Sequence, residues 1–298
     1  MKRFLKKIFI FIIAIVIVDL LFGAVCHYMN SHSKGGGIRN RYYICKESNE
    51  DILIFGSSRA LHHYVPDIIE DSLNLSCYNA GEEGNGIILS CGYLKMILAR
   101  YTPKVIIYDI SAFDIYKDDN VKYLNLLKPF YSEPGVDSLF WYIDPKSRIK
   151  MHSSLYMYNT TCLGIIGNYI LPMANYPKGY LALSGQMDYE PSMEIDKNRE
   201  VDPIKISLFE NFIKTASSNN IQVFCLISPI YGGSGDNYRA IKELCIRLNV
   251  PFLDYSSSSY ISNDKSLFQD LTHMNDLGAR KYTSIIASRL KSYIDKDK

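Results

Sequence analysis

The sequence predicts an α/β protein built on a parallel sheet, with an N-terminal apolar helix and a tyrosine-rich insertion. Short apolar runs recur along the chain, as expected for strands that are buried on both faces of a parallel sheet. Segments with apolar residues at helical spacing follow most of these runs. Several runs end in turns rich in Gly, Ser or Asp, and open α/β folds place their reactive groups at such turns.

The N-terminus combines a basic tail, residues 1–7, with the apolar run Ile8–Val25, which one charge interrupts at Asp19. A helix over that run spans about 27 Å at about 1.5 Å per residue, close to a hydrocarbon thickness of about 30 Å. Basic residues precede the run and none directly follows it, so the rest of the chain is expected outside the cytoplasmic membrane. An uncleaved signal anchor is favoured over a cleaved signal peptide, because the small-residue cleavage site is poor. Asp19, near the outer end, is expected to reach the interface rather than to act inside the membrane.

Residues 26–50 are polar and contain three consecutive glycines, which indicates a tether between the anchor and a domain over residues 51–298. The first strand of that domain, Asp51–Phe55, stops at a Gly-Ser-Ser turn over residues 56–58. A Ser in such a turn can present its hydroxyl above the sheet and its own N–H to a developing oxyanion. The structural alternative is a plain strand-to-helix turn capped by Ser.

The next elements add a second turn of the same kind. His62 and His63 point in different directions on a helix, so we interpret them as groove-lining or surface residues rather than metal ligands. The second strand, Leu75–Asn79, ends in a Gly-rich turn over residues 80–86, and a helix over Ile87–Leu98 follows. This turn matches no phosphate-binding motif, and its two glutamates would repel phosphate. It is better suited to donating backbone N–H groups to an uncharged ester oxygen.

A third strand, Lys104–Asp109, precedes an insertion over Ser111–Glu200, about ninety residues that exceed what a βα connection needs. The insertion is rich in Tyr and holds the single Trp, Trp141. Its aromatic side chains either stack on sugar rings or pack a core of their own. The α/β alternation then resumes with strands over Ile221–Ile227 and Val250–Asp254, and a helix ends the chain.

Composition narrows the classes of partner. The formal net charge of +2 comes without a basic stripe, so nucleic acid is not an expected partner. The seven cysteines are scattered without CxxC or Cys/His clustering. The sequence therefore predicts neither a metal site nor a cofactor, and it leaves disulfide pairing open.

The loop between the last strand and the last helix contains Asp270-Leu-Thr-His273. An Asp and a His three residues apart can face the same side, so that the carboxylate holds Nδ1–H and leaves Nε2 for a serine hydroxyl. A parallel sheet brings this loop to the same carboxyl-terminal edge as Ser58. The sequence therefore predicts a Ser58–His273–Asp270 triad.

Three motifs together resemble the first, second and last sequence blocks of the SGNH/GDSL hydrolase superfamily: Gly56-Ser57-Ser58, Asn79-Ala-Gly-Glu-Glu-Gly84 and Asp270-Leu-Thr-His-Met-Asn275. More narrowly, the chain is similar to the membrane-anchored bacterial members related to the lipoteichoic-acid D-alanylation and alginate O-acetylation proteins. The resemblance covers about residues 51–110 and 203–292. It implies a flavodoxin-like three-layer α/β/α sandwich at the cytoplasmic membrane of a bacterium.

The resemblance also implies roles for single residues. Ser58 aligns with the nucleophile and Gly84 with the oxyanion-hole glycine, while Asp270 and His273 complete the triad. Ser57 stands where the family usually has Asp. The Asn that often follows the third strand has no counterpart in register, and losing one such donor reduces turnover by roughly a hundredfold or more. Candidates for auxiliary roles are Ser57, Arg59, Asn85, Ser111 and Asn275, among which Asn85 or Ser111 could replace the missing donor.

These features predict an extracytoplasmic, membrane-anchored serine O-acyltransferase or esterase that acts on acyl esters, acetyl esters above all, of a cell-surface polysaccharide. The implied partners are the glycan, the membrane through the N-terminal helix and, for transfer, a multi-span membrane acyltransferase. The competing hypothesis is an inactive SGNH-like domain that binds glycan or scaffolds an envelope biosynthesis complex. The missing Asn favours inactivity, and the intact triad residues oppose it.

Overall fold

Five short apolar strands form one parallel sheet in the computed structural model, which describes residues 1–189, 199–233 and 237–294. The strands lie in the order β2-β1-β3-β4-β5, which is the order of flavodoxin-like doubly wound folds. Each strand falls within two residues of the predicted run, and the α/β fold with a parallel sheet is confirmed. The strands are β1 (Ile52–Gly56), β2 (Cys77–Asn79), β3 (Val105–Asp109), β4 (Gln222–Ile227) and β5 (Phe252–Asp254).

Helices surround this sheet and extend well beyond it at the N-terminus. Shorter 3₁₀ segments occupy Ala112–Asp114, Asn120–Phe130, Pro177–Gly179 and Lys265–Leu267. Within the described ranges the α-helices are α1 (Lys2–Ser31), α2 (Gly36–Lys46), α3 (Ser58–His63), α4 (Pro66–Leu73), α5 (Ile87–Leu98), α6 (Val136–Ile143), α7 (Ser147–Lys150), α8 (Ser154–Tyr158), α9 (Cys162–Ile170), α10 (Pro203–Ser218), α11 (Arg239–Arg247) and α12 (Asp276–Ile294).

The two faces of the sheet carry separate apolar layers, because successive residues of a strand point in opposite directions. Leu53 and Phe55 of β1 pack into a cluster with α2, α5, α10 and α11. Ile52 and Ile54 pack into a second cluster with α4 and α12. The predicted three-layer α/β/α sandwich is therefore present, and the carboxyl ends of all five strands share one edge.

Helix α1 is long and apolar enough to cross a membrane, which fits either a single-pass anchor or a signal sequence. It continues past the predicted end at Val25 to Ser31. Most of its apolar side chains, from Phe4 to Leu21, are exposed on the molecule. Among the described residues, α1 is the one helix with this length and apolarity.

The prediction of a polar tether over residues 26–50 is wrong. The end of α1 and all of α2 occupy much of this stretch, and Ile44 and Cys45 are fully buried in the core. The ring of Tyr43 stacks on Tyr78 at 4.6 Å between centroids. The averaged polarity of the stretch concealed a short apolar face on α2, and that face docks the segment onto the sheet.

The described part of the insertion forms α6 to α9 and three 3₁₀ segments. Residues 190–198 of the insertion and residues 295–298 of the predicted domain lie outside the described residues. Trp141 donates its indole N–H to the Tyr131 hydroxyl at 2.8 Å, and the Arg148 guanidinium lies over its ring at 4.3 Å. Its ring packs against the main core cluster. Trp141 therefore packs against the main core beside the sheet, rather than against a core that belongs to the insertion alone.

Candidate active site

The turn between β1 and α3 brings two serines to the edge of the sheet. Gly56 has a φ of 140°, and a Cβ there would lie 2.5 Å from the Asp109 carbonyl oxygen, so only glycine fits this sharp turn. Ser57 occupies the N-cap position of α3, but its side chain makes no capping hydrogen bond. The turn is therefore not held by a serine cap, and the next residue, Ser58, begins the helix with its hydroxyl directed elsewhere.

That hydroxyl meets the loop that precedes α12. Ser58 Oγ lies 2.8 Å from His273 Nε2, and His273 Nδ1 lies 2.9 Å from Asp270 Oδ2. With its proton on Nδ1, the imidazole donates to the carboxylate and accepts from the serine hydroxyl. The structure thus brings together the three residues that the sequence singled out, although 212 residues separate Ser58 from Asp270.

Asp270 is positioned by its own loop. Its Oδ1 accepts the backbone N–H groups of Thr272 at 2.8 Å and of His273 at 2.9 Å. Partial burial opposes ionisation, but the hydrogen bond and charge of His273 and these two N–H groups lower the pKa of Asp270 to about 2. The carboxylate therefore stays ionised at neutral pH and fixes the imidazole orientation.

The residues predicted to donate hydrogen bonds to the oxyanion differ in whether their donor groups are already used within the protein. Ser58 is the first residue of α3, so no intrahelical acceptor exists for its N–H. Gly84 has a φ of 60° and lines an open cleft together with Asn85. Asn85 donates one amide hydrogen to the Glu83 carbonyl at 2.7 Å. Ser111 cannot serve as the replacement donor in this geometry, because both its N–H and its hydroxyl donate to Asp114 Oδ2, at 2.7 and 2.9 Å.

Two other auxiliary candidates have structural roles instead. Arg59 is buried, and its guanidinium donates to the Ile110 carbonyl and lies 3.6 Å from Asp109 Oδ2. Asn275 caps α12, since its Oδ1 accepts the Gly278 N–H at 3.0 Å. Both amide hydrogens of Asn275 are used as well, by carbonyl oxygens at 2.8 and 2.9 Å. Neither side chain is free to contact a substrate.

The adjacent histidines are buried, so the interpretation of them as surface residues is wrong, and both flank His273. The His62 ring meets His273 edge-on at 5.6 Å between centroids. His62 Nδ1 donates to the Leu181 carbonyl at 2.7 Å, and Nε2 lies 2.5 Å from Glu83 Oε1. Both partners are acceptors, so each nitrogen of the His62 ring faces an oxygen that accepts a hydrogen bond. The hydrogen bond from His62 lowers the pKa of Glu83, against the opposing effect of its partial burial.

His63 belongs to a second, fully buried chain of hydrogen bonds beneath the triad. The Met274 N–H donates to His63 Nε2 at 2.9 Å, which places the ring proton on Nδ1. Nδ1 then donates to Ser228 Oγ at 2.8 Å, and that hydroxyl donates to Asp109 Oδ2 at 3.0 Å. Burial lowers the pKa of His63, which keeps the ring neutral. This series of hydrogen bonds connects the backbone next to His273 to the end of β3.

Sequence reasoning missed this second chain of hydrogen bonds. The sequence shows that Ser228 directly follows the predicted fourth strand and that Asp109 ends the third. Both therefore lie at the same edge of the sheet as Ser58, and that shared position could have indicated that they belong to the site. In the part of the chain that the structure describes, no group of three or more His, Cys, Asp or Glu side chains could hold a metal ion.

A polar cleft of about 410 Å³ opens beside the Gly-rich turn, between that turn and the insertion. Glu83, Gly84 and Asn85 form its edge nearest the triad, because Glu83 binds the His62 ring that packs on His273. Its other lining residues come from the same turn, from α2, from the 3₁₀ segment Asn120–Phe130 and from the α8–α9 turn: Glu82, Arg41, Lys122, Tyr123, Asn125, Leu126, Thr160 and Thr161. Trp141 lines a different cavity, which shares no residue with this cleft.

No protein-family model matches the chain, and no curated protein matches it either. Among solved structures, the acetyl xylan esterase AlAXEase is 13% identical with a TM-score of 0.40, over 82% of this chain and 99% of that one. A proposed acylhydrolase from Bacteroides fragilis NCTC 9343 is 10% identical with a TM-score of 0.39, over 89% and 94%. A family two carbohydrate esterase from Clostridium thermocellum, in complex with cellohexaose, is 12% identical with a TM-score of 0.40, over 83% and 64%. Likeness at these values assigns the chain to no family.

Proposed function

We propose that the chain is a membrane-anchored serine esterase or O-acyltransferase that acts on acyl esters of a cell-surface polysaccharide, outside the cytoplasmic membrane. The observation that supports this most directly is the hydrogen-bonded series from Ser58 through His273 to Asp270. A nucleophile, a base and an orienting carboxylate in that order are the arrangement that acyl transfer requires.

The proposed reaction follows from the geometry. His273 Nε2 removes the proton of the Ser58 hydroxyl as Oγ attacks the acyl carbonyl carbon. The N–H groups of Ser58 and Gly84 are proposed to hold the resulting oxyanion. The intermediate then collapses, and the acyl group remains on Ser58 while the oxygen of the acyl donor leaves with the proton from His273. That oxygen belongs to the sugar when a glycan ester is hydrolysed and to the acyl carrier when the group is transferred. Water or another sugar hydroxyl, deprotonated by His273, attacks the acyl-serine and restores the enzyme.

A carbohydrate substrate is supported by the polar cleft that includes Gly84. Amide and hydroxyl side chains such as Asn125 and Thr160 line it, and these groups pair with sugar hydroxyls. Transfer rather than hydrolysis is favoured because α1 would hold the site beside the membrane, where an acyl-carrying, multi-span partner could deliver its cargo. Acetyl is the acyl group to test first.

The experiment that tests the activity is labelling of the full-length protein by a fluorophosphonate probe. Wild type is expected to label, and Ser58→Ala to lose labelling entirely while keeping its circular dichroism spectrum. Ser57→Ala is the matched control and should still label, because Ser57 is buried and bonds neither His273 nor Asp270 in the structure. Labelling that survives in Ser58→Ala but disappears in Ser57→Ala contradicts the assignment of the nucleophile.

A second candidate function is an inactive, glycan-binding domain. One observation favours it: the chain lacks the Asn after β3, and the nearby Ser111 spends its donors on Asp114. Lack of labelling in wild type, together with binding of surface oligosaccharides in the cleft, would support this alternative. For the active alternative, an activated acetyl ester is offered with and without oligosaccharide, and mass spectrometry follows the acetyl group. Sugar-independent acetate release identifies an esterase.

The orientation has its own test. Phosphatase and β-galactosidase are fused separately at Lys298, and the phosphatase fusion alone is expected to be active, since the basic residues precede α1. Activity of the cytoplasmic reporter alone would contradict the proposed orientation.

A further inference from the structure

The outer half of α1 is attached to the insertion through a charged residue. Asp19 accepts three hydrogen bonds at 2.8 Å, from the Ser153 hydroxyl and from the N–H groups of Ser154 and Leu155. These donors lie at the start of α8, where backbone N–H groups have no helical partner. The insertion therefore satisfies the charge of Asp19.

The contact continues along α1 toward its C-terminal end. A Cβ at Gly23 would lie 2.4 Å from Ser154 Oγ, so α1 and α8 touch closely there. Cys26 is buried in a small apolar cluster with Tyr158 of α8 and Ile165 of α9. Helices α8 and α9 thus follow α1 for about two turns beyond Asp19.

The position of Asp19 along α1 fixes the depth of this contact. Lys6 and Lys7 mark the inner boundary of the hydrocarbon, because a charged side chain near the bilayer centre costs several kcal/mol. A thickness of about 30 Å takes about 20 residues at about 1.5 Å each, which puts the outer boundary near residue 27. Asp19 then lies about 12 Å below that boundary. If the lysine stems reach back by a full turn, about 5 Å, Asp19 still lies inside.

The segment bound to Asp19 has the composition that this depth requires. Residues 147–173 contain no Asp or Glu, whereas they contain Arg148 and Lys150. Within the protein, Lys150 pairs with Asp144 Oδ2 at 3.0 Å and Arg148 lies over the Trp141 ring, so the affinity for lipid comes from the apolar side chains of the segment. Large apolar side chains of this segment are exposed to the outside: Ile149, Leu155, Leu163, Ile170, Leu171 and Met173, with Leu163 83% exposed. Such a group of exposed apolar residues marks an interaction surface.

We propose that residues 147–173 form a membrane-interface segment, in which α8 and α9 lie in the outer leaflet beside α1. The inference rests on the proposed membrane insertion of α1 but not on the proposed chemistry. Lipid acyl chains are the occupant, because the exposed apolar side chains are joined to a residue of α1 that lies at hydrocarbon depth. The insertion then holds the polar cleft at a fixed height above the bilayer, since Thr160 and Thr161 of the α8–α9 turn line that cleft.

Depth-dependent fluorescence quenching tests the inference on the full chain. The single Trp is first replaced by Trp141→Phe, and then one new Trp is introduced at a time. Leu163→Trp reports on α9, Leu21→Trp is the positive control on α1, and Ile246→Trp is the negative control, since Ile246 is exposed on α11. Each variant is reconstituted into anionic phosphatidylcholine–phosphatidylglycerol vesicles with lipids brominated along the acyl chain. These vesicles contain no other protein.

We expect the emission of Leu163→Trp to fall about twofold with lipid brominated near the headgroup end of the chain, as for an element buried about 5–10 Å below the interface. Leu21→Trp should be quenched, and Ile246→Trp should not. Quenching of Leu21→Trp alone overturns the proposal and leaves a protein partner as the occupant of this surface. If Leu21→Trp is not quenched either, the membrane anchor itself fails and the inference fails with it. Fluorophosphonate labelling of each variant separates these outcomes from a failure of the proposed chemistry.

Discussion

Replacing Asp270 by Asn isolates the orientation of His273 from the fold of its loop. In Asp270→Asn, the amide oxygen can still accept the N–H groups of Thr272 and His273, which Oδ1 accepts in wild type. The amide nitrogen then faces His273 Nδ1 and can only donate. The imidazole must therefore carry its proton on Nε2, where it can no longer remove the proton of Ser58.

The size of the effect follows from the exposure of the carboxylate. The same change in a buried serine-protease triad lowers turnover by about 10⁴. Here the Asp270 side chain is 40% exposed, so water can partly replace it as the acceptor for Nδ1–H. We therefore expect a loss of about 10³ in kcat/KM, about 4 kcal/mol in the activation barrier.

The assay is hydrolysis of an activated acetyl ester, with thermal unfolding as the control for the fold. Asp270→Asn combined with Ser58→Ala should be no slower than Ser58→Ala alone, because triad residues act as a unit. A variant that keeps more than a tenth of wild-type activity, with an unchanged unfolding temperature, would refute the role of Asp270.

Other predictions concern stability and pH. Gly81→Ala should prevent folding, because its Cβ would lie 2.4 Å from the Leu61 backbone nitrogen; Gly84→Ala meets no atom within 4 Å and should cost only about 1 kcal/mol, as read from thermal unfolding. His63→Ala should lower the unfolding free energy in urea by roughly 2–4 kcal/mol, because it leaves a cavity, leaves the buried Met274 N–H without an acceptor and removes the hydrogen bond donated to Ser228 Oγ. Asp270 has a folded pKa of about 2 against an ordinary 3.8, so its stabilisation is present above the ordinary value and is lost as the pH falls through about 2. The stability difference between wild type and Asp270→Asn should accordingly shrink over that window.

The sheet could be predicted because its strands are buried on both faces. A run such as Val105–Asp109 is apolar at four of its five positions, so the pattern does not depend on which face meets which helix. The helix Ile87–Leu98 also coincides with the predicted one, because almost every residue in it is buried. The helices of the insertion were harder to predict from the sequence, because they are short and their apolar residues follow no regular period.

The triad was accessible to prediction for a topological reason. Ser58 lies in the turn that directly follows β1, and His273 lies in the loop between β5 and α12. Parallel strands bring such positions to one edge of the sheet. The hydrogen bonds of Ser111 could not be predicted in the same way. Its donors go to Asp114, three residues later, and a capping bond of this kind depends on the conformation of the loop. The burial of α2 was missed because averaged polarity conceals the order of Tyr42, Tyr43, Ile44 and Cys45.

That misjudged α2 leads to a last prediction, because it connects the anchor to the Gly-rich turn. Arg41 binds the Glu82 carboxylate through two nitrogens, at 2.9 and 3.2 Å, and each side chain is only 13% exposed. Arg41→Ala should leave Glu82 as a nearly buried, unpaired charge, at a cost of about 3 kcal/mol, and should disturb the turn that holds Gly84. Arg39→Ala is the matched control on the same helix, because its ion pair with Glu47 is more exposed and should contribute at most about 1 kcal/mol. We expect Arg41→Ala to lower kcat toward an activated ester and Arg41→Lys to restore part of it, since Lys keeps the charge but not the two-point contact. Equal kcat values for Arg41→Ala and Arg39→Ala would show that α2 packs on the domain without influencing the geometry of the active site.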